Sequence, residues 1–202
     1  MIGREQELGL IEDFVDRIAG GPAALLLSGE SGIGKTALWD AGVERARKRR
    51  TIVLEYRAVE AEALVPFAAL SDLLSGVREA AFASLTAPRR HALEVALLLE
   101  EPGERPPDQR AIGLALVDVV RALSASRPVL VAIDDVQWLD PSTAAPLQFA
   151  LRRLGSDPVG LLATARTPAA GELPIVLERC LPAAARKHMA IGPLRAYPGR
   201  IM

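Results

Sequence analysis

The sequence is short of cysteine, histidine and aromatic residues, and each scarcity excludes a class of protein or site. Its 202 residues include one cysteine, so an internal disulfide cannot form, as is usual in the reducing cytoplasm. Its two histidines stand far apart and have no cysteine partner, so the spacing of a zinc site is missing. Aromatic residues make up 4%, and neither tryptophan belongs to a platform that would stack nucleic-acid bases.

Long apolar runs and a strong net charge are also missing. The apolar runs span a few residues, far below the roughly 20 that a membrane-spanning helix needs. The N-terminus becomes charged at Arg4 and Glu5, so it lacks the apolar core of a signal peptide. With 24 basic and 25 acidic side chains, the chain has no bulk positive field for nucleic acid. We therefore expect a cytoplasmic protein whose residues here bind neither membrane nor nucleic acid directly.

Short apolar runs alternate with helical stretches, which indicates an α/β fold. Strands that alternate with helices form a mainly parallel sheet covered on both faces. Ligands of such sheets bind beyond the carboxyl ends of the strands, where the most unusual residues of this sequence lie. The predicted strands cover residues 23–27, 52–54, 129–133, 160–164 and 189–191, and the predicted helices cover residues 36–48, 67–77, 88–100, 108–124, 140–154 and 175–180.

The segment after the first predicted strand matches the phosphate-binding consensus G-x-x-x-x-G-K-[ST] without a mismatch. Its glycines let the backbone curl around an anion, and the helix that follows adds its positive dipole end. Lys35 supplies a charge for the β- and γ-phosphates, and Thr36 supplies a hydroxyl for Mg²⁺. A chance fit is the alternative, but the motif uses one of only three lysines. The predicted nucleotide-binding residues are Gly29, Glu30, Ser31, Gly32, Ile33, Gly34, Lys35 and Thr36.

Two acidic residues, Asp134 and Asp135, follow the third predicted strand. Mg²⁺ prefers oxygen ligands, and a buried strand would hold a carboxylate rigidly beside the phosphate cradle. Asp134 is therefore the predicted metal ligand together with Thr36, and Asp135 is the predicted base that polarises the attacking water. The alternative is that the pair only caps the next turn. This alternative is stronger for Asp135 than for Asp134, because aspartate is shorter than the glutamate found at the position of the base in many hydrolysing relatives.

Three segments together carry a resemblance to a known family. Residues 2–8 (IGREQEL) are similar to the opening motif of AAA-type and STAND ATPase modules, and residues 29–36 are the phosphate cradle. Residues 133–142 (IDDVQWLDPS) look like the Walker B region of the large ATP-binding regulators of the LuxR family. The sequence thus resembles the AAA/STAND-type P-loop ATPase domain of those transcriptional regulators over residues 2–194.

The resemblance implies both an architecture and an activity. The implied fold is a three-layer α/β P-loop NTPase of the ASCE group, with a mainly parallel five-stranded sheet. In it, the strand ending at Asp134 is separated from the cradle strand by the strand ending at Thr164. The implied activity is that of an ATP-dependent signalling switch, a weak ATPase with slow or conditional hydrolysis that self-associates through this domain.

The match also sets expected domain boundaries. We expect the ATPase domain to cover residues 1–194, and residues 195–202 to be a non-matching tail that marks a truncation. Relatives carry further domains, including a DNA-binding one, so DNA binding is expected only in a longer parent chain.

Two arginines also match positions of the family. Arg166, just past the fourth predicted strand, matches the STAND sensor arginine that reads the γ-phosphate; a guanidinium suits that role because it binds phosphate bidentately. Arg4 lies in the opening motif, which in relatives lies near the adenine. The alternatives are a solvated loop arginine for Arg166 and a surface arginine before a helix for Arg4. The catalytic set predicted from sequence and resemblance is Lys35, Asp135 and Arg166.

Two other functions stay open at this point. A small P-loop phosphotransferase would fit the length, although such enzymes lack the D-D-x-Q-W string of this sequence. A module that binds nucleotide without hydrolysing it would need no catalytic base. ATP, in place of GTP, follows from the resemblance, because no guanine-specific N-K-x-D motif occurs.

Overall fold

A computed structural model describes residues 3–102, 108–167 and 172–193. Within these ranges the strands are β1 (Ala23–Gly29), β2 (Ile52–Arg57), β3 (Val129–Asp134), β4 (Val159–Arg166) and β5 (Arg186–Ala190). The α-helices are α1 (Glu5–Arg17), α2 (Lys35–Lys48), α3 (Ala68–Ser75), α4 (Arg78–Ala83), α5 (Ala87–Ala96), α6 (Gln109–Ser124), α7 (Pro141–Leu151) and α8 (Leu177–Cys180). None of these helices combines the length and apolar character needed to cross a bilayer. The predicted tail, residues 195–202, and residue 194 lie outside the described residues.

The five strands form one parallel sheet in the order β2-β3-β4-β1-β5. The predicted α/β fold with its five-stranded sheet is confirmed. The predicted position of β4, between β3 and β1, is also observed. Because all strands are parallel, their carboxyl ends meet at one edge, and the segments that follow β1, β3 and β4 lie together there.

Alternating side chains along the central strands pack into two separate layers. On one face, α1 and α2 cover strand residues such as Leu25, Leu130 and Leu162. On the other face, α3, α5, α6 and α7 cover residues such as Val131 and Leu161. Burial of successive residues on opposite faces explains why β3 reads as an unbroken apolar run, since a parallel strand covered on both sides has no polar face.

Several predicted boundaries differ from the structure. The helix predicted to reach residue 100 ends at Ala96, because the chain leaves it through Leu98 in a left-handed conformation (φ 55°). The predicted helix ranges also omit α1 and the short helix α4. The last strand starts at Arg186, three residues before the predicted start, because an edge strand tolerates exposed polar residues that hide its pattern.

Asp140 joins two helices of the layer that covers one face of the sheet, α3 and α7. It is 1% exposed, and its carboxylate caps α7 by accepting the N–H of Thr143 at 2.8 Å. The same carboxylate accepts the N–H groups of Phe67 at 3.0 Å and Ala69 at 3.3 Å, at the start of α3. The Thr143 hydroxyl accepts the N–H of Leu70 at 3.1 Å. The Asp140 side chain therefore fixes α3 against α7, a role that the sequence motif alone does not reveal.

We expect Asp140→Ala to lower the free energy of unfolding by about 3 kcal/mol. It removes a helix cap worth about 1 kcal/mol and leaves further N–H groups without their charged acceptor, at roughly 1–3 kcal/mol each. Urea denaturation measures this loss. Asp108→Ala, which removes the exposed cap of α6, is the matched control and should cost about 1 kcal/mol. Equal losses in the two variants would contradict a bridging role for Asp140.

Candidate functional site

The carboxyl ends of β1, β3 and β4 bring the predicted site residues together. In the β1–β4 register, Gly29 lies directly beside Arg166, and Leu27 lies beside Thr164. A cleft of about 410 Å³ opens above these strand ends. It is lined by Ser31, Gly32, Gly34, Lys35, Thr36, Ala37, Asp40, Asp135 and Arg166. Residues from three separate parts of the sequence thus face one space.

The loop between β1 and α2 has the conformation that the glycine pattern predicts. Gly34 has φ 101°, which a residue with a side chain rarely adopts, and α2 begins directly after it at Lys35. Gly29 has no room for a side chain, because a Cβ there would lie 2.8 Å from the carbonyl oxygen of Ile191. The free N–H groups of the first turn of α2 therefore lie at the cleft, where a helix N-terminus attracts anions.

The ammonium group of Lys35 is held over this loop. Lys35 is 6% exposed, and its Nζ donates to the carbonyl oxygens of Gly29 at 3.0 Å and Glu30 at 2.9 Å. Burial lowers the pKa of Lys35 below its usual value, and the nearby carboxylates of Asp135 and Asp134 oppose this shift. The lysine therefore brings a positive charge to the cleft and already contacts the loop that would surround a phosphate.

Thr164 on β4 holds the two acidic residues that follow each other at the end of β3. Its side chain is fully buried, and its hydroxyl donates to Asp134 Oδ1 at 2.5 Å. The hydroxyl oxygen of Thr164 also accepts a hydrogen bond from the backbone N–H of Asp135 at 2.7 Å. Asp135 has φ 51°, so its backbone turns sharply and its side chain faces the cleft, while Asp134 remains buried beside Thr164. Sequence reasoning used Thr164 only as a strand end and missed this contact.

Asp135 and Arg166 contact each other. Arg166 Nη2 donates to Asp135 Oδ2 at 3.1 Å, and Gln137 Nε2 donates to Asp135 Oδ1 at 3.0 Å. Burial alone would raise the pKa of Asp135, but these two hydrogen bonds outweigh it and bring the pKa below its usual value. The hydrogen bond to Asp135 raises the pKa of Arg166. The predicted base and the predicted phosphate sensor are therefore partners in this structure.

Arg4 is buried against the loop, not at the surface. It is 4% exposed, its Nη1 donates to Glu7 Oε1 at 2.8 Å, and its Nη2 donates to the carbonyl oxygen of Ile33 at 2.9 Å. The surface alternative for Arg4 is therefore wrong. The observed contact is with the backbone of the phosphate cradle, and contact with a nucleotide base stays a prediction.

The other tryptophan, cysteine, histidine and basic residues considered in the sequence lie outside the lining of the cleft. Trp39 belongs to α2 and is buried in the core between this helix and the sheet. Burial raises the pKa of the Cys180 thiol. His91 is exposed beside Glu100, while His188 on the edge strand lies 2.6 Å from the hydroxyl of Ser28. Four basic residues near the end of α2 form ion pairs with acidic neighbours: Arg45 with Glu12 and Asp16, Arg47 with Glu55, Lys48 with Glu44, and Arg49 with Asp16.

The site suits a metal ion that is bound partly by protein side chains and partly by the phosphates of a nucleotide. In the ranges that the structure describes, no three His, Cys, Asp or Glu side chains are grouped to hold a metal by themselves. Thr36 lines the cleft, and Asp134 lies at the adjoining strand end with one oxygen bonded by Thr164. One carboxylate and one hydroxyl suit Mg²⁺, which usually keeps several waters and binds through substrate phosphates.

A family model described as AAA ATPase domain matches residues 1–163. The chain belongs to this family. It is an AAA-type P-loop ATPase module, and the match covers the phosphate cradle, both acidic residues and most of β4.

The chain is similar in sequence to one relative and in fold to solved structures. An uncharacterized protein of Rhizobium meliloti (strain 1021) is 29% identical over 227 residues, which cover all of this chain and 21% of that protein. Cdc6p from Pyrobaculum aerophilum has a TM-score of 0.58 at 15% identity and covers 94% of this chain and 45% of its own. The Aeropyrum pernix ORC2 protein has a TM-score of 0.50 at 20% identity, and the match covers 94% of this chain and 48% of the ORC2 chain. This AAA domain thus spans about a fifth of the curated relative and under half of these structures.

We expect Thr164→Val to lower the free energy of unfolding by about 2 kcal/mol, although valine has nearly the same shape. It leaves the buried Asp134 carboxylate and the Asp135 N–H without their shared partner, and losing a hydrogen bond to a charged group costs about 1.5–3 kcal/mol. Chemical denaturation gives the value. Thr164→Ser keeps the hydroxyl and should retain most of the stability. A valine variant as stable as the wild type, with a serine variant that loses stability, would show that the methyl group, not the hydroxyl, is what matters.

Proposed function

We propose that this AAA ATPase domain binds MgATP in the cleft and serves as a signalling switch with slow or conditional hydrolysis. In this proposal it is the STAND-type regulatory domain that its sequence resembles in LuxR-family regulators, and residues 1–194 form the ATPase unit. The observation that carries the proposal is the shared cleft, in which the phosphate cradle, Asp135 and Arg166 face each other.

The cradle residues would hold the phosphates. The N–H groups of the loop and of the first turn of α2 point to where an anion would gain most from the helix dipole. Lys35 would exchange the carbonyl oxygens of Gly29 and Glu30 for phosphate oxygens, which are charged and therefore stronger acceptors. Thr36 and Asp134 would hold Mg²⁺, whose contribution when bound is to neutralise charge on the β- and γ-phosphates.

The pairing of Asp135 with Arg166 supports conditional hydrolysis. A general base must accept a proton from water, and the hydrogen bonds from Arg166 and Gln137, which outweigh the opposite effect of burial, lower the pKa of Asp135 and so weaken it as a base. A γ-phosphate is a competing partner for the Arg166 guanidinium, because it offers more charge and more oxygens than one carboxylate does. In this proposal, Arg166 moves to the γ-phosphate and frees Asp135 Oδ2, so that the base becomes available only with ATP.

An adenine nucleotide is the favoured ligand. The Aeropyrum pernix ORC2 protein was solved as ADPNP-ADP complexes, and its fold is similar to that of this chain. Arg4 joins α1 to the cradle through Ile33, so a base bound near the opening motif could influence the phosphate loop through this contact. Self-association through the domain, as in other switches of this type, would allow a neighbouring copy to contribute further to hydrolysis.

We expect micromolar Mg²⁺-dependent ATP binding that Lys35→Ala abolishes, because the variant loses the charge that meets the β- and γ-phosphates. Titration calorimetry with ATP, ADP and GTP measures both affinity and base preference. Lys48→Ala is the matched control, since Lys48 lies on the same helix but is exposed and pairs with Glu44. Unchanged ATP affinity in Lys35→Ala would contradict the assignment of the cleft.

We expect Arg166→Ala and Asp135→Asn to change ATP affinity in opposite directions. The first removes a charged contact to the γ-phosphate and should weaken ATP binding by about tenfold or more, with little effect on ADP. The second frees Arg166 from its ion pair, so it should strengthen ATP binding while abolishing base-assisted hydrolysis and leaving only a slow residual rate.

Asp134→Ala should weaken only the Mg²⁺-dependent part of ATP binding.

The control for Arg166→Ala is Arg90→Ala, which also removes an arginine but breaks an exposed ion pair on α5. Equal effects of Arg166→Ala on ATP and ADP would indicate general electrostatics and would remove the sensor from the proposal.

A further inference from the structure

Gln137 joins the ends of two strands at the cleft through a single amide group. It lies in the short 3₁₀ helix Val136–Trp138, directly after Asp135. Its Nε2 donates to Asp135 Oδ1 at 3.0 Å, and its Oε1 accepts the backbone N–H of Arg166 at 3.2 Å. A carboxylate can only accept and a backbone N–H can only donate, so the orientation of the amide is fixed by its two partners.

A second glutamine shows what a purely structural contact of this kind looks like. Gln148 on α7 donates to the carbonyl oxygen of Pro174 at 2.8 Å and accepts the N–H of Val176 at 3.3 Å. Its Oε1 also accepts a hydrogen bond from Cys180 Sγ at 3.8 Å, and none of these three partners lines the cleft. Gln137 differs because one of its partners is the side chain assigned as the base, which lines the cleft.

We propose that Gln137 is a positioning residue that keeps the Asp135 carboxylate aimed into the cleft. This inference rests on the proposed function, in which Asp135 is the base. The carboxylate is held on both sides, by Arg166 at Oδ2 and by Gln137 at Oδ1. When Arg166 turns to the γ-phosphate, Asp135 keeps the bond to Gln137 and so does not rotate freely at the moment it must accept a proton.

The second contact of Gln137 serves the same purpose. Because its Oε1 binds the Arg166 backbone and not the guanidinium, the side chain of Arg166 can move while its backbone stays fixed. Gln137 therefore couples the base to the strand end that carries the sensor, without opposing the exchange of partners.

Two substitutions separate the two contacts. Gln137→Met removes both hydrogen bonds at similar length. Gln137→Glu keeps the acceptor for the Arg166 N–H but replaces the donor to Asp135 with a second carboxylate. We expect both variants to reduce kcat about tenfold, the loss typical of a hydrogen bond to a charged group, with the KM for ATP nearly unchanged. Gln148→Met is the matched control and should hydrolyse ATP like the wild type.

The combination with Asp135→Asn tests whether Gln137 acts through the base. If it does, adding Gln137→Met to Asp135→Asn causes no further loss of kcat, because the two changes remove one function. A Gln137→Glu variant with wild-type kcat, or additive losses in the double variant, would overturn the proposal and leave Gln137 as a tie between strand ends.

Amide hydrogen exchange observed by NMR gives a readout that needs no turnover. The side-chain amide of Gln137 should exchange slowly in the wild type and fast in Asp135→Ala, and the Arg166 N–H should stay protected in Gln137→Glu but not in Gln137→Met. Unchanged exchange of the Gln137 amide in Asp135→Ala would overturn the contact itself. A wild type that binds ATP but never hydrolyses it would instead contradict the proposed hydrolysis, while these exchange rates still decide whether Gln137 holds Asp135.

Discussion

The hydroxyl of Thr164 is the contact on which the geometry of the site depends. It lies between β3 and β1 because β4 is inserted there, and it binds the Asp134 carboxylate and the Asp135 N–H at once. One residue thus holds a buried acid in place and fixes the backbone turn that sends the next acid into the cleft. A polar group this deep in an apolar sheet must be fully bonded, which makes the arrangement rigid.

Charge balance within the cleft follows from that geometry. Lys35 contacts carbonyl oxygens of its own loop, and Arg166 contacts Asp135. An incoming triphosphate would compete for both cations, so the affinity that is measured is the difference between the phosphate contacts and the contacts that they replace. A ligand shifts a switch only by such a difference, and in the proposed function the γ-phosphate would supply it at Arg166, the residue paired with the proposed base.

Features defined by local sequence could be predicted. The phosphate consensus, the buried strands and the acidic pair each follow from a pattern within one segment, and the family match confirms the AAA fold that they indicate. The contacts of Gln137 and Thr164 could not be predicted, because they depend on the register between β3 and β4 and on side-chain rotamers, which the predicted strand order does not fix. The predicted start of β5 lies three residues after the observed start at Arg186 for a related reason. The polar residues at that start are tolerated only because β5 lies at the edge of the sheet.

The central claim is that the cleft is a triphosphate site in which Arg166 and Lys35 exchange their protein partners for phosphate. A crystal structure of this chain with Mg²⁺ and a non-hydrolysable ATP analogue tests it most directly. The account predicts the phosphates in the loop, Lys35 released from the carbonyls of Gly29 and Glu30, Arg166 released from Asp135, and Gln137 still bonded to that aspartate. Phosphates bound elsewhere, or a γ-phosphate in the cleft with the Arg166–Asp135 pair intact, would contradict it.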